Sequence, residues 1–501
     1  MQNVNKSLNE SLQAKYPHLE LAILLLSQVN KDNESKRIDS EYFKKEYLEN
    51  EERLLNLNSV KLGKICSFIC NGDDCRDYKE NGLKYIRTGD IKEYGLDLCN
   101  CATIRDDFIS NIKLEIGDLL VTRKGNYGKS QVVNNIEILK SIVSSEIFQI
   151  KLKDINPYFV DVFLKTKFGQ MQFEKNIHGV SNFSVTQESL LNFLIPLFPK
   201  PFQLEIEKLV KQSHEALEDS KRLYKETQEL LYKELELDFK NPLKSLLKSS
   251  LQAKKANELA IINGISKKYP HLNISVRPLS KSLHKSGRLD SEYYQSKYDL
   301  METKIKDYKG GYCKLQDIGF FTNGSFIPEN LYTQHAKRAY IRIKELSFNA
   351  PIRIQECIYI DDNFEATNET MVKQNDFVIA TIGNTIGKIN LIPKELNGSF
   401  ISNNTSRFRL TDTSIIPEFL ELLLRNFVVQ EQIQREFTQT AQPKISNTSL
   451  ENILIPKIAT DTQEQIALKI QKSFTLRAKS KDLLQNAKIK LENAIENFCD
   501  I

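Results

Sequence analysis

The strongest constraint on this chain is that it spells the same words twice. RIDSEYF (residues 37–43) returns as RLDSEYY (288–294), 251 positions later. KYPHL at 15–19 returns at 268–272, an offset of 253, and KYIRTGDI (84–91) answers AYIRIKEL (339–346) at 255. IGDLLVTRKGNYGKSQVV (116–133) answers QNDFVIATIGNTIGKINLI (374–392), with Asp118 opposite Asp376 at 258. SLLNFLIP (189–196) answers SLENILIP (449–456) at 260. Ordered matches with a slowly growing offset mean duplication of a whole domain with loop insertions. Solenoid repeats of roughly 20–50 residues are far shorter.

Each copy has a globular part and a helical connector. LKYIRTGDI, IGDLLVTR, SQVVNN and IFQIKLKD read as strands in the first copy. AYIRIKEL, DFVIATI, KINLI and SRFRLTD do so in the second. One helix is expected over 156–176 and one over 417–437, from apolar spacing of three and four. The glycines of KGNYGK and IGNTIGK bracket a hairpin turn rather than a phosphate loop.

The connector from Pro201 to about Leu237 lacks glycine and internal proline, and its seam residues keep heptad spacing. Ile206, Val210, Ser213, Leu217, Ser220, Tyr224, Thr227 and Leu231 form the first series. Ile466, Ile470, Ser473, Arg477, Ser480, Leu484, Ala487 and Leu491 form the second, in the same register. Such spacing winds a seam against another helix, and helices this polar need a partner in water. The expected arrangement is two rods of roughly 54 Å packed on each other, the alternative being that each helix folds back on its own domain.

Composition bounds the function. Hydrophobic residues at 40% and charged residues at 27% describe a folded, soluble chain. Seventy basic against 65 acidic residues leave a net charge of +5, compatible with nucleic acid only where the positive charge is clustered. The polar start, MQNVNKSLNE, has no secretory order, and the apolar run at 21–26 is too short to span a bilayer. A reducing cytoplasm is the expected compartment. The eight cysteines (five of them Cys66, Cys70, Cys75, Cys99 and Cys101) lack Cys-x-x-Cys spacing, so free thiols are expected, with no metal site.

Catalytic motifs are missing. The chain contains no G-x-x-x-x-G-K-[ST], H-E-x-x-H or G-x-S-x-G string. The nearest approach to the Asn/Asp-Pro-Pro-aromatic signature of adenine methyltransferases is INPYF at 155–159, with one proline.

Basic and amide residues gather near the turns. The candidates for DNA contact are Arg87, Thr88, Arg123, Lys124, Asn126, Tyr127 and Lys129 in the first copy. In the second they are Arg338, Arg342, Lys344, Asn384, Thr385, Lys388, Asn403, Asn404 and Arg407. Arginine matches guanine's major-groove acceptors and asparagine matches adenine's edge, while lysines suit phosphates. Framework words agree between copies, but the loops diverge: ICNGDDCRDYKENGL against FTNGSFIPENLYTQHAKRA. Two different readers would recognise two different half-sites, with a spacing set by helix geometry. Changing Arg342 or Asn384 is expected to alter one half-site only.

This layout resembles the specificity (S) subunit of type I restriction–modification enzymes. The resemblance is carried by RLDSEYY, the GNTIGK turn, and KISNTSLENILIP leading into TQEQIALKI. In the first copy the counterparts are RIDSEYF, GNYGK, and NFSVTQESLLNFLIP leading into FQLEIEKLV. The family's Glu-Gln before the helix survives only as Glu464-Gln465. The resemblance implies an α+β fold: two tandem mixed target-recognition domains joined and separated by two long helices in an antiparallel coiled coil, a pseudo-twofold repeat. The implied division is 1–200 and 251–456 for the recognition domains, with 201–250 and 457–501 for the helices. It further implies a non-catalytic reader of a split, asymmetric double-stranded DNA site. The expected partners are two adenine methyltransferase subunits and motor-endonuclease subunits, with S-adenosylmethionine, ATP and magnesium used by those partners and no cofactor in this chain. The alternatives are a subunit of a methylation-only or other restriction-type complex, or a coiled-coil scaffold joining two protein-binding domains.

Overall fold

The duplication reappears in both four-stranded sheets of each copy in the computed structural model of the chain, although the short hairpin Ile91–Lys92/Gly95–Leu96 occurs in the first copy and has no counterpart among the described residues of the second. The structure describes residues 11–497 except 20, 31, 32, 34, 35, 93, 94, 97, 99, 100, 178–182, 251–278, 283–286, 334, 335, 363, 365–370 and 438–441. The second KYPHL word with His271, and also Cys99 and Cys499, lie outside the described residues. In the first copy an antiparallel sheet runs in the order Cys66–Asn71, Ile147–Leu152, Leu119–Thr122, Ser130–Val132. The second copy gives Gly319–Asn323, Thr405–Leu410, Phe377–Ala380, Ile389–Leu391 in the same order. A second sheet runs Ile142–Val143, Leu83–Ile86, Ala102–Ile104, Tyr78–Lys79, matched by Phe400–Ile401, Arg338–Ile341, Ile358–Ile360, Tyr332–Thr333.

Two local expectations need correction. The helix read over 156–176 is two helices, Pro157–Lys165 and Lys167–Lys175. Thr166 leaves helical geometry between them and its hydroxyl accepts from the Gly169 N–H, capping the second helix. Asn426 does the same between Pro417–Leu424 and Phe427–Arg435, accepting from the Val428 N–H. The strand read through AYIRIKEL stops at Ile341, because the Arg342 and Glu345 side chains close a 3₁₀ turn.

The two long helices are Lys200–Glu234 and Thr460–Asn497. The compact units do not follow the order of the two copies along the chain. Unit 1 comprises 1–218 with 477–501, and unit 2 comprises 219–476, so each unit holds a stretch of both helices. In unit 1, Ile206 and Val210 from the first helix and Leu484, Ala487, Leu491 and Ile495 from the second join the core around Phe159 and Phe163. In unit 2, Tyr224, Leu231, Ile466 and Ile470 join the core around Phe377 and Phe408.

The pairing is antiparallel within each unit. Unit 1 sets Ser213 against Ser480 and Glu205 against Lys490. Unit 2 sets Ser220 against Ser473 and Glu226 against Lys469. The serines let the backbones approach, and their hydroxyls are satisfied across the seam: Ser213 Oγ donates to the Ser480 carbonyl (2.7 Å), Ser473 Oγ to that of Ser220 (2.8 Å). The seam matches the sequence register except at Leu217 and its counterpart Arg477, both half-exposed. In the first helix Ala216 is buried instead, and Leu217 lies within contact distance of Gly95.

The repeated word is a clamp. Arg37 forks onto Asp39 (2.7 and 2.6 Å) and donates to the carbonyls of Lys175 and Ile177, closing the C-terminal end of Lys167–Lys175. Arg288 forks onto Asp290 (2.7 and 3.0 Å) and reaches the carbonyls of Arg435 and Phe437 at the matching helix. The hydrogen bond from Arg288 holds the Asp290 carboxyl below its ordinary value of 3.8. A carboxyl depressed in the folded state contributes its full stability above that ordinary value and loses it as pH falls through the folded value. Asp290→Asn is therefore expected to flatten the loss of stability below about pH 4. An acid denaturation profile with an unchanged slope would show that the clamp is energetically neutral.

Candidate nucleic-acid interface

Three loops and a strand end meet in each unit at equivalent places. The first loop is the hairpin turn at 123–129 in unit 1 and 381–388 in unit 2. Gly125 (φ 62°) and Gly128 (φ 75°) take left-handed geometry in one, Gly383 (φ 84°) and Gly387 (φ 90°) in the other. Both turns are pinned from outside. The Gly125 N–H donates to the Phe183 carbonyl and the Gly383 N–H to that of Pro443, each at 3.0 Å. Gln170 and Gln430 hold the carbonyls of Gly128 and Gly387, each at 2.9 Å.

The second loop is the bend before the sheet's central strand, Ser144–Glu146 in one unit and Ser402–Asn404 in the other. The Arg123 N–H donates to the Glu146 carbonyl (2.9 Å) and the Thr381 N–H to that of Asn404 (3.0 Å), joining bend to hairpin. The third loop follows Gly72 or Gly324. The Asp73 N–H donates to the Val143 carbonyl (2.8 Å) and the Ser325 N–H to that of Ile401 (2.9 Å). The strand end supplies Arg87 and Arg342: Ile86 and Ile341, just before them, accept from the N–H of Ser144 and Ser402.

The side chains on this scaffold divide into two kinds. Lys124, Asn126, Lys344, Asn384, Asn403 and Asn404 are exposed. Thr385 and Thr88 are half-exposed. Tyr127 is half-buried against Phe183, with ring centres 6.3 Å apart, and burial pushes its phenol up. Lys129 and Lys388 are half-buried, and burial, then Arg353, pushes the Lys388 ammonium down.

The arginines are mostly structural. Arg407 is 4% exposed and donates to the Met371 carbonyl and the Thr322 hydroxyl. Its position in the fold is that of Gln149, which donates to the Lys113 carbonyl. A base edge has no access to it. Arg342 grips the buried Glu345 carboxylate at 2.8 Å, and Lys344 lies 3.8 Å from the same group. Arg87 lies 3.6 Å from Asp90 but remains exposed. Arg338 donates to the carbonyls of Asp362 and Phe364. Arg123 lies over the Phe148 ring at 5.3 Å.

The structure adds residues that the sequence reading passed over. Asp74 and Phe326 sit at matching loop positions and are exposed, Phe326 at 71%. Glu146 stands where the other unit has Asn404. The divergence of ICNGDDC from FTNGSFI was the available signal, but only strand pairing brings these residues beside the hairpin. Among the described residues no cluster of His, Cys, Asp or Glu could hold a metal. Burial pushes the thiols of Cys66, Cys70 and Cys313 up, and that of Cys357 to about 12. Among the described residues no helix is long and apolar enough to cross a membrane.

The chain is thus a duplicated α+β domain with paired long helices and unlike loops on a shared frame. The family model of the type I restriction modification DNA specificity domain matches residues 308–492, within the second copy and the last long helix. The first copy repeats its strand order. A search of curated proteins finds no match. Among solved structures, the S subunit of the type I restriction-modification system from M. genitalium is 12% identical, covering 88% of this chain and 95% of that one, with a TM-score of 0.41. The HsdS subunit from Thermoanaerobacter tengcongensis is 15% identical, covering 87% and 96%, with a TM-score of 0.25. A chain from a structure described as showing complex assembly and conformational transition of the type I R-M system is 15% identical, covering 88% and 96%, at 0.27. At these scores the likenesses carry no further weight.

Proposed function

We propose that this chain is the sequence-recognition subunit of a type I restriction–modification complex, in which each unit reads one half of a split, asymmetric DNA site. The observation that carries the reading is the pair of equivalent loop clusters with unlike exposed residues: Asp74 and Glu146 on one frame, Phe326 and Asn404 on the other, beside a hairpin turn in which Lys124 stands opposite Ile382. Identical frames with unlike faces suit two readers of different sequences. The match of the second copy to a DNA specificity domain supports DNA as the ligand.

On this reading the chain is not itself an enzyme. Adenine methylation, with S-adenosylmethionine, belongs to recruited methyltransferase subunits; ATP- and magnesium-dependent translocation and cleavage belong to motor-endonuclease subunits. The expected compartment is the cytoplasm. Of the candidate contacts, Lys124, Asn126, Asn384, Thr385, Asn403 and Asn404 remain for bases and phosphates, with Arg87 and Lys344 beside them. The test is co-expression with an adenine methyltransferase. The pair should co-purify and bind duplex DNA with affinity that falls steeply with salt, as phosphate contacts require. A chain that purifies alone, and a mixture that does not retain DNA at low salt, would favour a protein-binding scaffold instead.

A further inference from the structure

We infer that the bend before the central strand is a base-reading position in each unit, with Glu146 accepting from a cytosine amino group and Asn404 pairing with an adenine edge. The inference rests on the DNA-recognition reading above. Three observations carry it. The two residues are structural equivalents: the Glu146 carbonyl accepts from Arg123 and the Asn404 carbonyl from Thr381, at 2.9 and 3.0 Å. Both side chains are exposed, and among the described residues neither makes a side-chain hydrogen bond or ion pair. Both stand in the cluster made by the hairpin turn and the glycine loop, whose backbones are fixed by hydrogen bonds.

The chemistry then separates the two. A carboxylate in a DNA-facing loop is repelled by phosphates, so retaining one needs a specific donor opposite it. In the major groove the cytosine N4 amino group is such a donor, and an acid residue accepts from it. An asparagine instead accepts from adenine N6 and donates to N7. Sequence-neutral contacts would use the lysines already present. One position of the fold would thus take unlike bases in the two half-sites, without any change to the frame.

The experiment uses the full chain in complex with adenine methyltransferase subunits, reading methylated adenines across genomic DNA. For the wild-type complex a split motif is expected. Glu146→Gln should relax or change one C·G position in one half-site, with efficiency at the original motif falling roughly ten- to a hundredfold. Asn404→Asp should alter one A·T position in the other half-site, and each variant should leave the opposite half-site intact. Both motifs remaining unchanged at wild-type efficiency would overturn the inference, as would loss at every position of both half-sites with unchanged circular dichroism. A wild-type complex that methylates no split motif is a separate result and would overturn the DNA-recognition reading itself.

Discussion

Replacing Arg425 by leucine is expected to destabilise unit 2 by about 3–5 kcal/mol, the usual effect of stranding a buried charge. The guanidinium is 3% exposed. It donates to the carbonyls of Ile389 (2.8 Å) and Ala350 (3.2 Å), to the Tyr224 hydroxyl (3.3 Å) and to Glu421 (2.6 Å). One cation thus ties the helix Pro417–Leu424, a sheet strand, a loop and the first long helix within unit 2. Burial pushes the Glu421 carboxyl up, so without Arg425 that group protonates or remains charged in an apolar site, and either is unfavourable. Unit 1 carries the corresponding pair, Lys165 and Asp161 at 2.8 Å, with fewer attachments. Lys165→Met should therefore have the smaller effect. Chemical denaturation measures both. The double change Arg425→Leu with Glu421→Leu should regain much of the loss, because an apolar pair of similar volume has no charge to desolvate. A single variant within about 0.5 kcal/mol of wild type, the range of ordinary surface substitutions, would mean that the pair is not a tie.

Gly324→Ala should disable unit 2 as a reader while leaving unit 1 working. A methyl group there would lie 2.2 Å from the Ser402 carbonyl oxygen and 2.6 Å from that of Ile401. Both are backbone atoms, so no side chain can swing aside. The loop carrying Phe326 must then part from the bend carrying Asn403 and Asn404. Overpacking of this kind destabilises by about 1–3 kcal/mol. The larger consequence is functional, since the loop cluster is no longer held together. Gly72 is equally crowded, and a methyl group there would lie 2.2 Å from the Val143 carbonyl oxygen, so Gly72→Ala is the mirror variant for unit 1. Each variant should abolish discrimination at one half-site, read as degenerate bases in the methylated motif. Equal degradation of both half-sites by either variant would contradict the independence of the units.

How much of this was legible in the sequence follows from the range of the interactions. The duplication, the hairpin glycines and the helical seam are local or periodic patterns, and all are present in the fold. Leu217 departs from the seam because its side chain packs near Gly95 in unit 1, while Ala216 fills the helix contact. Periodicity alone carries no information about such a neighbour. The breaks at Thr166 and Asn426 depend on single caps inside otherwise unbroken apolar spacing. Arg407 reads as a basic residue in an amide-rich segment, yet sheet pairing turns it inward onto Met371 and Thr322. Gln172 and Gln432 show the same limit. Each bonds both backbone groups of one residue, Leu194 or Leu454, a fit visible only after the strand is placed. For the candidate interface, the sequence grouped the basic and amide residues of the hairpin turn and the bend, but it carried no signal for Glu146, an acid that only strand pairing sets beside the hairpin.

The division of labour between the two units is tested most directly by mapping methylated adenines in DNA modified by the complex of this chain with adenine methyltransferase subunits. The account expects one asymmetric motif in two unlike parts separated by unspecified bases. A continuous or palindromic motif, or methylation without sequence preference, would contradict it.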